Sequence, residues 1–375
     1  MKLYDYIRQN VLSVDPREFE SFYNAVRDAD IIIPIGAGRT RAALDISFGE
    51  MALTGKKDIL ALDDVGFPGH SITDGIENLK RRGYNNILVV CASGSGRSPT
   101  PVSIAEEVSD YIRSGKNGVH LVTITSNPDS PLVKNAEKPI LLRIRGREPW
   151  EKPTVVAHYR SGGILGDKFE LALLAITHFI GEGIYKEATA SQVMEFAREG
   201  LESVIHAINK FVDSEDYEFL ISRMEQRNHI ILGGLGSSAR VVNMTFIRLM
   251  HIKEAVGDHG VFKLKDAPRP RAGDLLIMVS SSGRRPILLN WAENYRKAGA
   301  IVVSFIGREN SPLSKLSHRT IVLDQVSDDP RRPSRFYLTA AFVLSPLLID
   351  LVGRYESRGL QLPEGIFRWY HSVTN

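Results

Sequence analysis

The chain has 375 residues, more than one ordinary hydrophobic core organises and a comfortable length for two domains. Its 47 Lys and Arg nearly balance its 44 Asp and Glu, leaving +3, so no nucleic-acid or membrane-surface partner is expected. A composition of 43% hydrophobic and 24% charged residues excludes a disordered or fibrous chain, and the single cysteine, Cys91, excludes a disulfide framework or a multi-cysteine zinc site.

The opening MKLYDYIRQNV is charged throughout and is not expected to act as a secretory signal. Amphipathic segments at 3–14 and 16–27 then predict two helices. An apolar run at 31–35 empties into Gly36-Ala37-Gly38, and a helix is expected at 40–54. Further strands are expected near 59–62, 87–91, 119–124 and 139–143, with helices at 71–82, 101–114 and 130–137. An apolar helical stretch at 167–180 closes this half and carries Glu170.

The same order then returns. Amphipathic segments at 191–212 and 217–227 precede IILGGLG at 230–236, and LLIMVSSSGR at 275–284 answers ILVVCASGSGR at 87–97. VVSFIGRENSPL at 302–313 matches LVTITSNPDSPL at 121–132, and SRFYLTAAFVLSPL at 334–347 matches DKFELALLAITHFI at 167–180. Four matched landmarks in one order make an internal repeat. Its boundary falls at 183–189, so domains are expected at 1–188 and 189–375. Strands alternating with helices predict an α/β fold, a parallel sheet covered on both faces in each copy, with ligands outside the carboxyl ends of the strands. The apolar stretch 338–352, broken by Pro346 and Asp350, is expected to be too short to span a bilayer. A cytoplasmic protein is the expectation.

The strongest chemical signal is Cys91-Ala92-Ser93-Gly94-Ser95-Gly96-Arg97-Ser98, set between a strand and a helix. Glycines let the backbone N–H groups converge, serines add donors, and the following helix supplies its positive end, so a phosphate monoester suits such a cup. It is not a P-loop, because no Gly-Lys-Ser/Thr follows. The loop Gly36-Ala37-Gly38-Arg39-Thr40 looks like a dinucleotide fingerprint, with Asp63 and Asp64 after the next strand. Arg41 at its third-glycine position argues against that, and a second Ser/Gly loop has no place in such a site.

These motifs resemble the sugar isomerase (SIS) domain family, and within it the 6-phospho-3-hexuloisomerases. The family pattern is Gly-x-Gly-Arg-Ser, Arg-Leu-Met-His, Ser-Gly-Ser-Gly-x-Thr and Gly-x-x-Phe-Glu. The first copy holds 36–40, 93–98 and Gly166-Asp167-Lys168-Phe169-Glu170; the second holds 234–238 and Arg248-Leu249-Met250-His251. The resemblance implies two flavodoxin-like domains and a cytoplasmic phosphosugar isomerase acting without metal or redox cofactor, as a single fused pair or a homodimer. It implies a phosphate bound by Ser93, Gly94, Ser95, Gly96 and Ser98, sugar contacts from Gly38 and Thr40, Glu170 as acid/base, and His251 as its imidazole partner.

Departures from the pattern complement each other. Seventeen residues after the first glycine of each loop stand Leu53 and His251; Ser98 corresponds to Arg285, and Glu170 to Tyr337. One composite site is therefore expected, with cup and Glu170 from the first copy and His251 from the second. The opposite site, with Ser280, Ser282, Tyr337 and Leu53, is expected to lack both a carboxylate base and an imidazole.

Taken singly, Glu170 reads equally as a solvent-facing helix residue and His251 as an ordinary histidine; the repeat register singles them out. Cys91 reads as core. The clusters Arg143–147, Arg269–271 and Arg331–335 read as solvated loops, and Trp150, Trp291 and Trp369 as packing residues. His158, Arg160 and Lys168 stand near enough in sequence to line the pocket. Two other readings remain open: an aminosugar-phosphate deaminase or isomerase of the glucosamine-6-phosphate type, and a non-catalytic sugar-phosphate-binding regulator.

Overall fold

The computed structural model describes residues 2–60, 71–146, 164, 167–226, 228–323 and 332–360. In the first half the elements run α1 (Lys2–Leu12), α2 (Pro16–Asp28), β1 (Ile31–Ile35), α3 (Gly38–Leu53), β2 (Asp58–Ile59), α4 (Ile72–Arg81), β3 (Ile87–Ala92), α5 (Pro99–Arg113), β4 (Val119–Thr125), α6 (Pro131–Lys134), β5 (Ile140–Arg143) and α7 (Asp167–Lys186). The second half continues with α8 (Ala190–Val212), α9 (Glu215–Glu225), β6 (Ile230–Gly233), α10 (Ser237–Ala255), β7 (Val261–Lys263), β8 (Leu275–Ser280), α11 (Pro286–Lys297), β9 (Ile301–Ile306), α12 (Pro312–Leu316), β10 (Arg319–Val322) and α13 (Phe336–Ser357).

Two parallel five-stranded sheets result, ordered β2-β1-β3-β4-β5 and β7-β6-β8-β9-β10. Both have the flavodoxin-like order, and both reverse direction between the strand after the lead-in helices and the next central strand. That switch point lies beside β1 and β3 in one sheet and beside β6 and β8 in the other. The central strands β1, β3, β6 and β8 are buried along their whole length, as helices on both faces require.

Helix starts follow from the local sequence. Asp15 accepts from the N–H groups of Arg17 and Glu18 at 2.9 and 3.0 Å, with Pro16 fixing the first turn of α2. Thr189 and Gln192 form a reciprocal capping box on α8, just past the end of α7 at Lys186.

Each sheet carries its own core on one face, around Ile33 and Val89 in the first and Ile231 and Met278 in the second. On the other face one continuous core serves both halves, from Leu3 and Phe22 through Leu171 and Leu249 to Phe336 and Leu348. Helices α3, α7, α10 and α13 cross there. Arg240 of α10 lies so close over Gly49 of α3 that an added Cβ would stand 1.6 Å from its guanidinium. Tyr4 of α1 hydrogen-bonds Ser345 of α13. Glu182 on α7 meets Arg335, before α13, at 3.1 Å.

Three expectations need correction. The helix expected at 130–137 spans only Pro131–Lys134, and the second strand stops at Ile59 rather than 62. The stretch 338–352 is not broken: one 22-residue helix, Phe336–Ser357, runs straight through Pro346. By length and composition it could cross a membrane, but it is almost wholly buried in the shared core. Asp350 is tolerated there because it accepts from the Tyr217 hydroxyl at 2.7 Å.

Leu249 is fully buried at this crossing. Leu249→Ala is expected to cost about 2–5 kcal/mol, read as a shift of the whole urea transition. Two separate transitions with only one displaced would contradict a shared core. Burial pushes the Glu182 carboxyl up, but Arg335 and Lys186 more than offset this and hold it below its ordinary value of 4.5. Its contribution to stability is therefore present above that value and lost as pH falls through the lower folded one. Glu182→Gln should flatten the acid side of the stability–pH curve; an unchanged slope would show the pair idle.

Candidate functional site

The Ser/Gly loop after β3 is a preformed cup. Gly96 has φ +67°, and a Cβ there would lie 2.0 Å from Ser130 Oγ, so glycine is required. The Gly96 N–H donates to Ser93 Oγ at 3.1 Å, and the Gly96 carbonyl accepts from Leu132 N–H at 3.1 Å. Ser93 is 1% exposed, and its hydroxyl donates to Ser98 Oγ at 3.0 Å. Its proton is thus committed to holding the loop. Ser95 is exposed and accepts from the Arg97 N–H at 3.2 Å, and Ser98 is half-buried; both hydroxyl protons can point outward.

Ser98 precedes Pro99 and makes no side-chain cap on α5. Pro99 and Pro101 carry no N–H and the Val102 N–H donates to the Ser98 carbonyl, so in this turn the Thr100 N–H alone is open to an anion. Gly38 is exposed, and Thr40, in the first turn of α3, is 8% exposed. Gly94 sets the cup against α7, since a Cβ there would lie 3.1 Å from the Phe169 ring.

One residue beyond Phe169 stands Glu170, 2% exposed in the first turn of α7. The solvent-facing reading is ruled out. Its Oε2 lies 2.8 Å from the Arg39 guanidinium and 3.7 Å from that of Arg248. Asp167 pairs with Arg39 and lies 3.5 Å from Arg248, and its other oxygen accepts from the Ile164 N–H at 2.7 Å. All four side chains are at most 5% exposed, two cations against two carboxylates. Burial alone would weaken the hold of Arg39 on its proton, but Glu170 and Asp167 more than offset this and raise it. For Arg248, burial and the neighbouring Arg39 charge outweigh the two carboxylates and lower it.

The two halves meet at this cluster. Arg39 comes from the first loop, Asp167 and Glu170 from α7, and Arg248 from α10 of the second half. His251 stands one turn beyond Arg248, on the neighbouring face of α10, half-buried. Sequence reasoning named Glu170 and His251 but gave no role to Arg39, Asp167 or Arg248. Their signal was present, because Arg39 and Arg248 stand inside the two motifs and Asp167 opens the Phe-Glu segment. Cys91 is fully buried, and burial pushes its thiol far up, so it is a core residue. Arg143 pairs with Glu18 at 2.7 Å rather than with the cup. Asp63, Asp64, Trp150, His158, Arg160, Gly166, Arg331 and Trp369 lie outside the described residues.

The opposite cleft departs from expectation. Leu53 is exposed and takes no part, but a carboxylate and an imidazole are present. Glu50, three residues before Leu53, accepts from the Ser334 N–H at 2.8 Å, and His178 Nδ1 lies 3.1 Å from Glu50 Oε2. The repeat register missed them because His178 has Ser345 as its counterpart, and Glu50 answers to Arg248.

Arg39→Met would leave two buried carboxylates sharing one guanidinium. A loss of about 3–5 kcal/mol by urea denaturation is expected, with Arg39→Lys recovering only part of it. A change below about 1 kcal/mol would mean that the charges are not held as a set.

No family model matches the chain. A 3-hexulose-6-phosphate isomerase from Mycobacterium gastri is 32% identical over 133 residues, 35% of this chain and 65% of that protein, so the chain spans less than two thirds of this relative. A tagatose-6-phosphate ketose/aldose isomerase from Escherichia coli superposes with a TM-score of 0.58 at 14% identity, covering 95% of this chain and 93% of the other. The C-terminal domain of glucosamine-fructose-6-phosphate aminotransferase from Francisella tularensis does so with a TM-score of 0.56 at 15% identity, covering 94% of both. With one five-stranded parallel sheet of the same order in each half, the chain shares the fold of these two structures over nearly its whole length.

Proposed function

We propose that the chain is a phosphosugar isomerase with one composite active site, formed by the loop 93–98 and Glu170 of a first domain, residues 1–188, and His251 of a second, residues 189–375. The observation that carries this reading is the buried Glu170 carboxylate, one residue past the Phe169 ring that packs on the cup, paired with Arg39 and approached by Arg248 from the other half. A carboxylate held this way cannot swing, so a sugar fixed by its phosphate presents the same carbon to it on every visit. The similarity to a 3-hexulose-6-phosphate isomerase and the fold shared with a ketose/aldose isomerase support the reaction class.

In the proposed reaction the Ser95 and Ser98 hydroxyls, the loop N–H groups and the Thr100 N–H of α5 hold the phosphate. Ser93 and Gly94 shape the loop, and Gly38 and Thr40 face the sugar. Glu170 takes the proton from the carbon next to the carbonyl, giving a cis-enediol, and returns it to the adjacent carbon. His251 passes a proton between the two oxygens, so nothing is gained or lost overall. Arg39 and Arg248 keep the carboxylate oriented and balance its charge before and after it carries the proton.

Glu170→Gln should lower turnover of the true hexose phosphate about 10²–10⁴-fold with little change in binding. Unchanged turnover would refute the role of Glu170. Ser95→Ala should raise KM for the phosphorylated sugar and leave kcat nearly constant. Ammonia released from glucosamine 6-phosphate, in place of ketose interconversion, would make the reaction a deamination.

A further inference from the structure

The loop after β8 repeats the geometry of the cup after β3. Ser280, Ser281, Ser282, Gly283, Arg284 and Arg285 stand where Ser93, Gly94, Ser95, Gly96, Arg97 and Ser98 stand in the first half. Gly283 has φ +60°, its N–H donates to Ser280 Oγ at 3.1 Å, and its carbonyl accepts from the Leu313 N–H at 3.0 Å. Arg285 precedes Pro286 and makes no side-chain cap on the twelve-residue α11; the Leu288 and Leu289 N–H groups donate to the Arg285 carbonyl, so of the first turn the Ile287 N–H alone is open.

Loop shape alone would not make this a site. Two deeply buried polar groups of the second cleft point further. Ser237 is 3% exposed, and its hydroxyl has no partner among the described residues. It occupies the register position of Arg39, whose side chain reaches residues 167 and 170. The counterparts of those residues are Ser334 and Tyr337, and Ser238, the next residue, hydrogen-bonds Tyr337, which sets the start of α10 beside the second cleft. His178 is 3% exposed and leaves Nε2 without a hydrogen-bond partner among the described residues, while its Nδ1 lies 3.1 Å from Glu50 Oε2. Buried polar atoms left unpaired are costly unless something else meets them.

Tyr337 completes the cleft. Its hydroxyl lies 3.1 Å from Ser281 Oγ, beside the cup, where Glu170 stands in the first half. Burial raises its hydroxyl pKa; the hydrogen bond to Ser281 and the Arg285 charge work against this, and the Glu50 charge adds to it.

We propose that the 280–285 loop, with Arg285, Ser237 and Tyr337, is a second binding site for a phosphate monoester, separate from the Glu170 cleft. The loop N–H groups, the Ile287 N–H and Arg285 take the phosphate; Ser237, Tyr337 and His178 meet hydroxyl groups of the body it carries. That this body is a sugar rests on the isomerase reading. Because a phenol replaces the carboxylate of Glu170, the site binds without removing a proton at that position. Arg285 in place of Ser98 makes it the more cationic of the two cups and favours the dianion.

Calorimetric titration of the full chain with fructose 6-phosphate, and separately with inorganic phosphate, tests this. Two equivalents per chain are expected. The double variant Ser95→Ala/Ser98→Ala should retain one of them. Arg285→Glu should keep the other while weakening the second class at least about tenfold. Arg285 is exposed, so its replacement leaves the fold intact, which circular dichroism checks; Ser282→Ala is the milder second variant.

A single equivalent abolished by the Ser95/Ser98 variant, binding unaffected by both second-cup variants, or no binding of either probe would overturn the proposal. Binding removed by Arg285→Glu and untouched by the Ser95/Ser98 variant would uphold the second site and instead remove the phosphate role given to the first. Two equivalents with inorganic phosphate and one with the sugar phosphate would confine the second site to the free anion, against its role as an ester site.

Discussion

Four charges with almost no water around them sit where the two halves meet. A buried carboxylate or guanidinium is tolerated only beside an opposite charge, because the loss of hydration exceeds what packing returns. Arg39, Asp167, Glu170 and Arg248 meet that condition together, and they come from three helices in two halves of the chain. The relative placement of α3, α7 and α10 is therefore constrained as much by charge as by apolar burial. An alternative packing that removed Arg248 by one helical turn would leave Asp167 and Glu170 underbalanced. The same constraint fixes the first turn of α7, whose Phe169 packs on Gly94 of the cup, so orientation of the proposed base and cohesion of the halves share one cause.

The apolar face makes this arrangement possible. Central strands buried on both sides need helices above and below, and the helices on the inner side are shared in one core running from Leu3 to Tyr355. The helix of the first Gly loop in each half, α3 or α10, starts at its own sheet and extends toward the other cleft. Its distal end delivers Arg248 to one cleft and Glu50 to the other. The close passage of Arg240 over Gly49 fixes where the two helices cross. A site drawing on both halves follows from that crossing, without any loop having to bridge them.

Much of the fold is legible in the sequence for a simple reason. Strands buried on both faces, such as IIIPI at 31–35 and ILVVCA at 87–92, read as unbroken apolar runs, and Gly or Ser/Gly loops mark their ends. Where a signal is shorter it fails: β2 is two residues long and α6 only four, too little for periodicity to fix a boundary. Pro346 reads as a break, yet α13 passes through it, because packing in the shared core outweighs one lost hydrogen bond. For the candidate site, motif spacing singles out the 93–98 loop, Glu170 and His251. It does not reveal that Arg39 and Arg248 converge on Glu170, since residues 39 and 248 become neighbours only through the crossing of α3 and α10. Glu50 and His178 are hidden further, because no counterpart in the repeat carries the same chemistry.

The two clefts differ as sets rather than residue by residue. At matching positions one has Arg39, Asp167, Glu170 and Arg248, and the other has Ser237, Ser334, Tyr337 and Glu50. The first group balances two cations with two anions. The second replaces three charges by hydroxyl groups and reverses the fourth, and Glu50 then finds its partners in the Ser334 N–H and His178. Exchanging a single member is unfavourable in either direction: arginine in place of Glu50 would set a cation against His178 and an N–H donor, and glutamate in place of Arg248 would add a third carboxylate to a cluster that holds one guanidinium. Electrostatics thus couples the identities at these positions within a cleft while leaving the two clefts independent, which is how one backbone plan can hold an ion-paired carboxylate at one cup and a phenol at the other.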